Sequence, residues 1–185
     1  MECPKVSPGG SDHCSLHLHG VTDVFGPFYS AESAVGVLMA TGCVGSSLCL
    51  READVNTYLS RDGGHEWSEV ASGSHIYEIG DHGGLIVMAH DEKPVSEVLY
   101  TWNEGITWEK YTFTDTPVLV DNIMIEPNAV SQTFVVYGTR KSKSKLAGVV
   151  FHLNFEGLHT RPCSGAESPG QADSDYELWS PSATD

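Results

Sequence analysis

Two stretches of the chain place a hydroxyl, a short carboxylate or amide, a glycine and a tryptophan at one spacing. In "SRDGGHEW", Ser60, Asp62, Gly64 and Trp67 stand at offsets of zero, two, four and seven. In "TWNEGITW", Thr101, Asn103, Gly105 and Trp108 repeat the pattern 41 residues later. A hydroxyl two residues from a carboxylate invites a catalytic reading of Asp62. Turn chemistry is the more economical one. A hairpin turn leaves backbone N–H groups unpaired, and Asp62 or Asn103 accepts them. The Ser60 and Thr101 hydroxyls offer a further bond. Gly64 and Gly105 adopt backbone angles barred to other residues. Trp67 and Trp108 open the returning strand and cover the turn, each burying about 150–250 Å² of aromatic surface. The motif reads as a fold device.

The cysteines are the second group with chemistry. Cys3/Cys14 and Cys43/Cys49 are close pairs flanking Gly- and Ser-rich segments, and Cys163 is left over. In a secretory context the pairs read as two small disulfide loops, and the odd cysteine implies a partner elsewhere. The other use of these groups is a zinc site with His17 and His19. No C-x2-C pair is present, and the alternation of "SLHLHG" is that of a half-buried strand, so disulfides are the preferred reading. No catalytic residue, cofactor or metal is assigned.

Charge excludes further classes. The 185 residues carry a formal charge of −15 with ten Lys and Arg. Nucleic-acid binding needs a broad basic surface. Four of the cations, Arg140, Lys141, Lys143 and Lys145, crowd into "RKSKSK", which reads as a solvated hairpin loop between two strands. The first residues, "MECPKVSPGG", have no apolar core of a signal peptide. The longest apolar runs, "AVGVLMA" and "LIVMA", fall well short of the roughly 18 residues that span a bilayer.

The elements that hold these residues are strands. Helical periodicity is weak, and short apolar or alternating runs recur between Gly, Pro, Asp and Asn. The first set is predicted at Ser15–His19, Ala34–Thr41, Val55–Ser60 and Trp67–Ala71. The second is His75–Ile79, Leu85–His90, Glu97–Trp102 and Thr107–Phe113. The third is Val118–Ile125, Thr133–Thr139 and Ala147–Phe155, with no fourth strand. Four strands per repeat of about 40–50 residues is the signature of a β-propeller blade. The fold class is therefore all-β: a partial propeller of two four-stranded blades and a three-stranded third. Residues 1–160 are assigned to the blades. Residues 161–185 form an acidic, Gly-, Ser- and Pro-rich tail, predicted disordered, in which "DYELW" starts a new element.

The spaced motif S/T-x-D/N-x-G-x-x-W is the Asp box, shared by sialidases and sortilin-type receptors. "CSLHLHG", "SAVGVLMATGCVG", "YLSRDGGHEW", "GDHGGLIVM" and "WNEGITWEKYTF" resemble, in the same order, segments of late blades in the sortilin-type vacuolar protein-sorting receptor family. "CSGAESPGQADSDYELWSPS" is similar to the exit from that propeller into a cysteine-rich module. The resemblance implies a type I membrane receptor carrying lumenal cargo between Golgi, endosome and vacuole, with no catalysis of its own. It implies a ten-bladed propeller, of which this chain corresponds to the last two to three blades and the junction. It also implies that Cys163 pairs with the following module. The family's cargo-clamping arginine belongs to an earlier blade and has no match here, so the cargo-binding residues are left open. The Cys43/Cys49 pair departs from the family pattern. The competing reading is an Asp-box glycosidase of the sialidase kind. Such enzymes need clustered arginines and a Tyr–Glu nucleophile pair, and the chain holds only Arg51, Arg61, Arg140 and Arg161.

Overall fold

The computed structural model describes residues 14–20, 29–142, 145–158, 161 and 163–178. Among them are eleven strands in three antiparallel sheets. The first sheet is β1 (Ser15–Leu18), β2 (Leu38–Gly45), β3 (Asn56–Ser60) and β4 (Ser68–Ser72), paired in that order. The second is β5 (His75–Gly80), β6 (Leu85–His90), β7 (Glu97–Thr101) and β8 (Glu109–Thr112), likewise in order. The third is β9 (Leu119–Met124), β10 (Thr133–Ser142) and β11 (Lys145–Asn154). This is the predicted partial propeller of four, four and three strands.

Stacking of the sheets accounts for the apolar pattern. In β6 successive side chains point to opposite faces. Ile86 and Met88 join Ala34, Val37, Met39, Leu59, Tyr77 and Ile79 in a core between the first and second sheets. Leu85, Val87 and Ala89 join Val120, Ile123, Phe134, Val136, Leu153 and Phe155 between the second and third. Both faces of β6 are covered, so it reads "LIVMA" without alternation. The outer strand β8, "EKYT", is exposed at every position.

Turns lock the sheets together. Asp81, His82 and Gly83 in "GDHGG" all have positive φ, at 49°, 57° and 99°. The Asp81 N–H donates to Ser131 O (3.0 Å) and the His82 N–H to Ala129 O (3.2 Å). Gly83 meanwhile lies against Ala34, where an added Cβ would come within 3.0 Å. One left-handed turn of the second sheet thus touches loops of the first and the third. Val95 and Val118 exchange both backbone hydrogen bonds at 2.8 Å, fixing where β9 starts.

Three expectations are corrected. The second strand starts at Leu38, not Ala34: Gly36 (φ 83°) breaks the run, and Ala34 and Val37 are buried in a turn. The basic run is not a loop. Arg140, Lys141 and Ser142 pair with Ala147, Leu146 and Lys145, so the ladder runs into the basic stretch. Cross-strand pairing there continues two ten-residue strands, and Lys141 and Lys145 remain exposed to solvent. The described tail, 163–178, has no strand or helix but is not structureless: Arg161 pairs with Asp175, whose carboxylate also accepts the Ser164 N–H at 2.8 Å. No helix of the described residues is long and apolar enough to cross a membrane.

Candidate functional site

The two spaced motifs occupy the β3–β4 and β7–β8 turns. In the first, the Ser60 hydroxyl donates to Asp62 Oδ1 (2.8 Å) and accepts the Gly64 N–H (2.8 Å). Asp62 accepts the backbone N–H groups of His65 and Glu66, each at 3.0 Å. The Glu66 N–H foremost, with the Ser60 hydroxyl and the His65 N–H, holds the Asp62 carboxyl below its ordinary range. The second turn repeats this circuit. Thr101 Oγ1 donates to Asn103 Oδ1 (2.9 Å) and accepts the Gly105 N–H (2.9 Å), and Asn103 Oδ1 accepts the Thr107 N–H (2.9 Å). Ser60 and Thr101 are buried, and the acceptors of Asp62 and Asn103 are spent on their own turns.

The tryptophans differ. Trp67 Nε1 donates to Gly64 O at 3.0 Å. Trp108 packs on the core between the first two sheets, and its Nε1 is buried without a hydrogen-bond partner among the described residues. Gly105 explains the closer seat: an added Cβ there would stand 2.1 Å from Leu59 Cδ2 of the preceding sheet.

Cys43 and Cys49 form a disulfide, with Cα atoms 6.1 Å apart, across the turn after β2. Cys14 is disulfide-bonded, but the predicted Cys3–Cys14 bridge otherwise falls on Cys3, outside the described residues. Cys163 is free and exposed. The two histidines weighed as zinc ligands support the loop instead. His17 Nε2 bonds Gly45 O (3.1 Å) and His19 Nε2 bonds Cys49 O (2.8 Å).

The arginines do not form the cluster a sialidase needs. Arg51 pairs with Asp54 and Arg161 with Asp175, Arg61 lies in the first motif turn and Arg140 on β10.

The described residues also enclose a cleft that was not expected. It measures about 320 Å³ and opens between β5 and β9, lined by Tyr29, Ile76, Glu78, Asn122, Met124 and Ile125 among others. Both strands stand at the ends of their sheets, so each has one edge with no partner strand among the described residues. The Tyr29 hydroxyl donates to Glu78 Oε1 at 2.5 Å, and the Ile79 N–H donates to the same oxygen at 3.0 Å. Burial foremost, then the charge of Glu126, raises the Glu78 carboxyl above its ordinary value. Burial and Glu78 push the Tyr29 phenol up as well. A signal for the cleft exists in "HIYEIG": Glu78 is the lone carboxylate of an otherwise uncharged, largely apolar strand, on the half-buried face it shares with Ile76. Nothing local places β9 opposite it, and a bulge at Tyr137/Gly138 sets which β9 residues face the cleft.

These motifs have close counterparts in known proteins. Residues 2–123 match the family model described as "Sortilin, neurotensin receptor 3". Residues 125–185 match the model for the C-terminal part of the same family. The chain is similar to proteins named "Vacuolar protein sorting/targeting protein 10". The relative from Mycosarcoma maydis is 42% identical over 184 residues, covering 98% of this chain and 12% of the relative. That from Laccaria bicolor is 39% identical over 172 residues, 91% of this chain and 11% of the relative. That from Talaromyces stipitatus is 38% identical over 173 residues, 92% of this chain and 11% of the relative. The chain thus spans about a tenth of the length of the relatives it matches. Two models that meet within β9 and together run the length of the chain, on blades with paired motif turns, leave one assignment: the chain belongs to the sortilin–Vps10 family.

Proposed function

We propose that this chain is part of the lumenal cargo-binding region of a type I transmembrane sorting receptor, and that it acts by binding rather than by catalysis. The match to the family from residue 2 to residue 185 carries this reading. The receptor takes lumenal proteins or peptides from the Golgi to endosome and vacuole, and these blades face the lumen. Residues 1–160 contribute propeller blades, and residues 161–185 lead into a cysteine-rich module that supplies the partner of Cys163. The motif turns at Ser60–Trp67 and Thr101–Trp108 hold hairpins and leave no acceptor of Asp62 or Asn103 for a ligand. Propeller blades of this kind present strand edges and pockets to peptides, and the β5–β9 cleft is a surface of that type.

The test is a chimera. In a fungal cell lacking its own sorting receptor, a full-length relative with its matching segment replaced by this chain should restore retention of a soluble vacuolar hydrolase. Secretion of the hydrolase, from cells in which the chimera is folded and reaches the Golgi, would overturn the reading. Turnover of a sialoside by the purified chimera would replace it with the glycosidase.

A further inference from the structure

We propose that the cleft between β5 and β9 receives a lysine or arginine side chain, presented next to an apolar residue by an extended segment of a ligand protein. This rests on the binding-receptor reading above and names the class of ligand that this site selects.

Charge carries the argument. None of the residues lining the cleft is Lys, Arg or His, and its carboxylate is Glu78. Tyr29 and Ile79 both bond Oε1 of Glu78, which leaves Oε2 for a ligand. Beside it stands a second carboxylate. Glu126 Oε1 accepts the N–H groups of Val130 (2.6 Å) and Ser131 (2.9 Å), while Oε2 is buried with no hydrogen-bond partner among the described residues. The charge of Glu126 acts on Glu78. Two partly desolvated acids with no cation against either among the described residues make a negative potential that those residues leave uncompensated. A ligand cation relieves it.

Shape selects the kind of cation. A hard metal ion takes six to eight oxygens, and the walls here are Ile76, Met124, Ile125 and the Tyr29 ring. An aliphatic stem packs on such walls while its charged head meets a carboxylate, and a guanidinium or ammonium beside Tyr29 gains from its ring. A volume of about 320 Å³ lies at the small end of ligand sites, enough for one or two side chains. Because β5 and β9 are the end strands of their sheets, a segment that enters can run alongside a free edge.

The experiment uses the chimeric receptor and three fluorescent pentapeptides: Gly-Leu-Arg-Leu-Gly and its counterparts with Gln or Glu in place of Arg. Fluorescence anisotropy should show the Arg peptide binding about tenfold or more tighter than the Gln peptide, with the Glu peptide weakest. Glu78→Gln keeps an acceptor for Tyr29 and Ile79, so it should leave the melting transition in place and bring the Arg and Gln peptides within about twofold of one another. Asn122→Lys sets an ammonium in the opposite wall and should abolish the preference from the β9 side. Equal affinity of the unmodified chimera for the Arg and Gln peptides would overturn the proposal, as would an Arg preference that survives both substitutions. Hydrolase retention without any Arg preference defeats this proposal and spares the sorting reading. An Arg preference lost on Glu78→Gln, in a chimera that secretes the hydrolase, supports this proposal and counts against sorting.

Discussion

At the scale of single residues, each motif turn is a circuit of short hydrogen bonds closed by one buried hydroxyl. Ser60 is donor to Asp62 and acceptor for Gly64 at once. Its removal leaves the half-buried Gly64 N–H without its acceptor. Ser60→Ala is therefore expected to cost about 1–3 kcal/mol in urea unfolding, and a loss under about 0.5 kcal/mol would show the hydroxyl to be dispensable. The two circuits differ in the residue before the motif glycine. Gly63 precedes Gly64 with φ of 76°, whereas Glu104 precedes Gly105 with φ of 54°. An L-residue in that region carries about 1–2 kcal/mol of strain. Glu104→Gly should raise stability by about 1 kcal/mol, while Glu104→Ala should not; a gain with Ala of the same size would assign the effect to charge instead.

At the scale of elements, the start of β5 is sensitive to pH. His75 is 5% exposed, its Nδ1 lies 3.0 Å from Thr57 Oγ1 of β3, and its ring meets that of His90 at a tilt of 49°, 5.2 Å between centroids. Burial foremost, then the charges of His90 and Lys93 against a carbonyl contact from Gly73, lowers its pKa from 6.5 to about 4. The sign follows directly. On acidification the unfolded chain takes a proton at about 6.5 while the folded His75 stays neutral until about pH 4. The stability that His75 lends is complete above 6.5 and is lost as pH falls to about 4. The loss is on the order of 3 kcal/mol over the whole window. Thermal melts between pH 7 and pH 4.5 should fall more steeply for the native chain than for His75→Asn, which keeps a donor near Gly73 O but does not titrate. Parallel slopes would rule His75 out as the source. Glu78, three residues on, has the opposite sign, since its raised carboxyl is easiest to accommodate in acid. The two groups thus pull one strand in opposite directions as pH changes.

At the scale of the molecule, the sheets at each end determine how the isolated chain behaves. The outer edge of β11 has no partner strand among the described residues, and Leu146 and Val150 on it are 78% and 72% exposed. A free edge of that length with apolar side chains is a template for another strand. The 185-residue chain expressed alone in an oxidising compartment should therefore self-associate, visible as a concentration-dependent mass in light scattering. Val150→Lys should reduce it, by placing a charge on the exposed face of the edge. A monodisperse monomer with a cooperative melt, unchanged by Val150→Lys, would mean that the three sheets are a complete unit.

The sequence by itself determined the local structure. Alternation and turn residues marked all eleven strands. The spacing of Ser60, Asp62, Gly64 and Trp67 specified a turn in which the Ser60 and Asp62 hydrogen bonds close within seven residues, and the local pair Cys43/Cys49 is bonded. These features need only neighbours in the chain. What tertiary structure alone decided was which distant strands meet. Ala34 and Val37 look like strand residues until Gly83, on the next sheet, is seen to pack on Ala34. The basic run reads as a loop until cross-strand pairing carries it into the hairpin. The β5–β9 cleft joins Glu78 to Asn122 and Met124, more than forty residues apart, through sheet stacking and a bulge that no local pattern encodes. Backbone preference and turn chemistry act over a few residues, whereas burial and field at Glu78 are sums over everything packed around it.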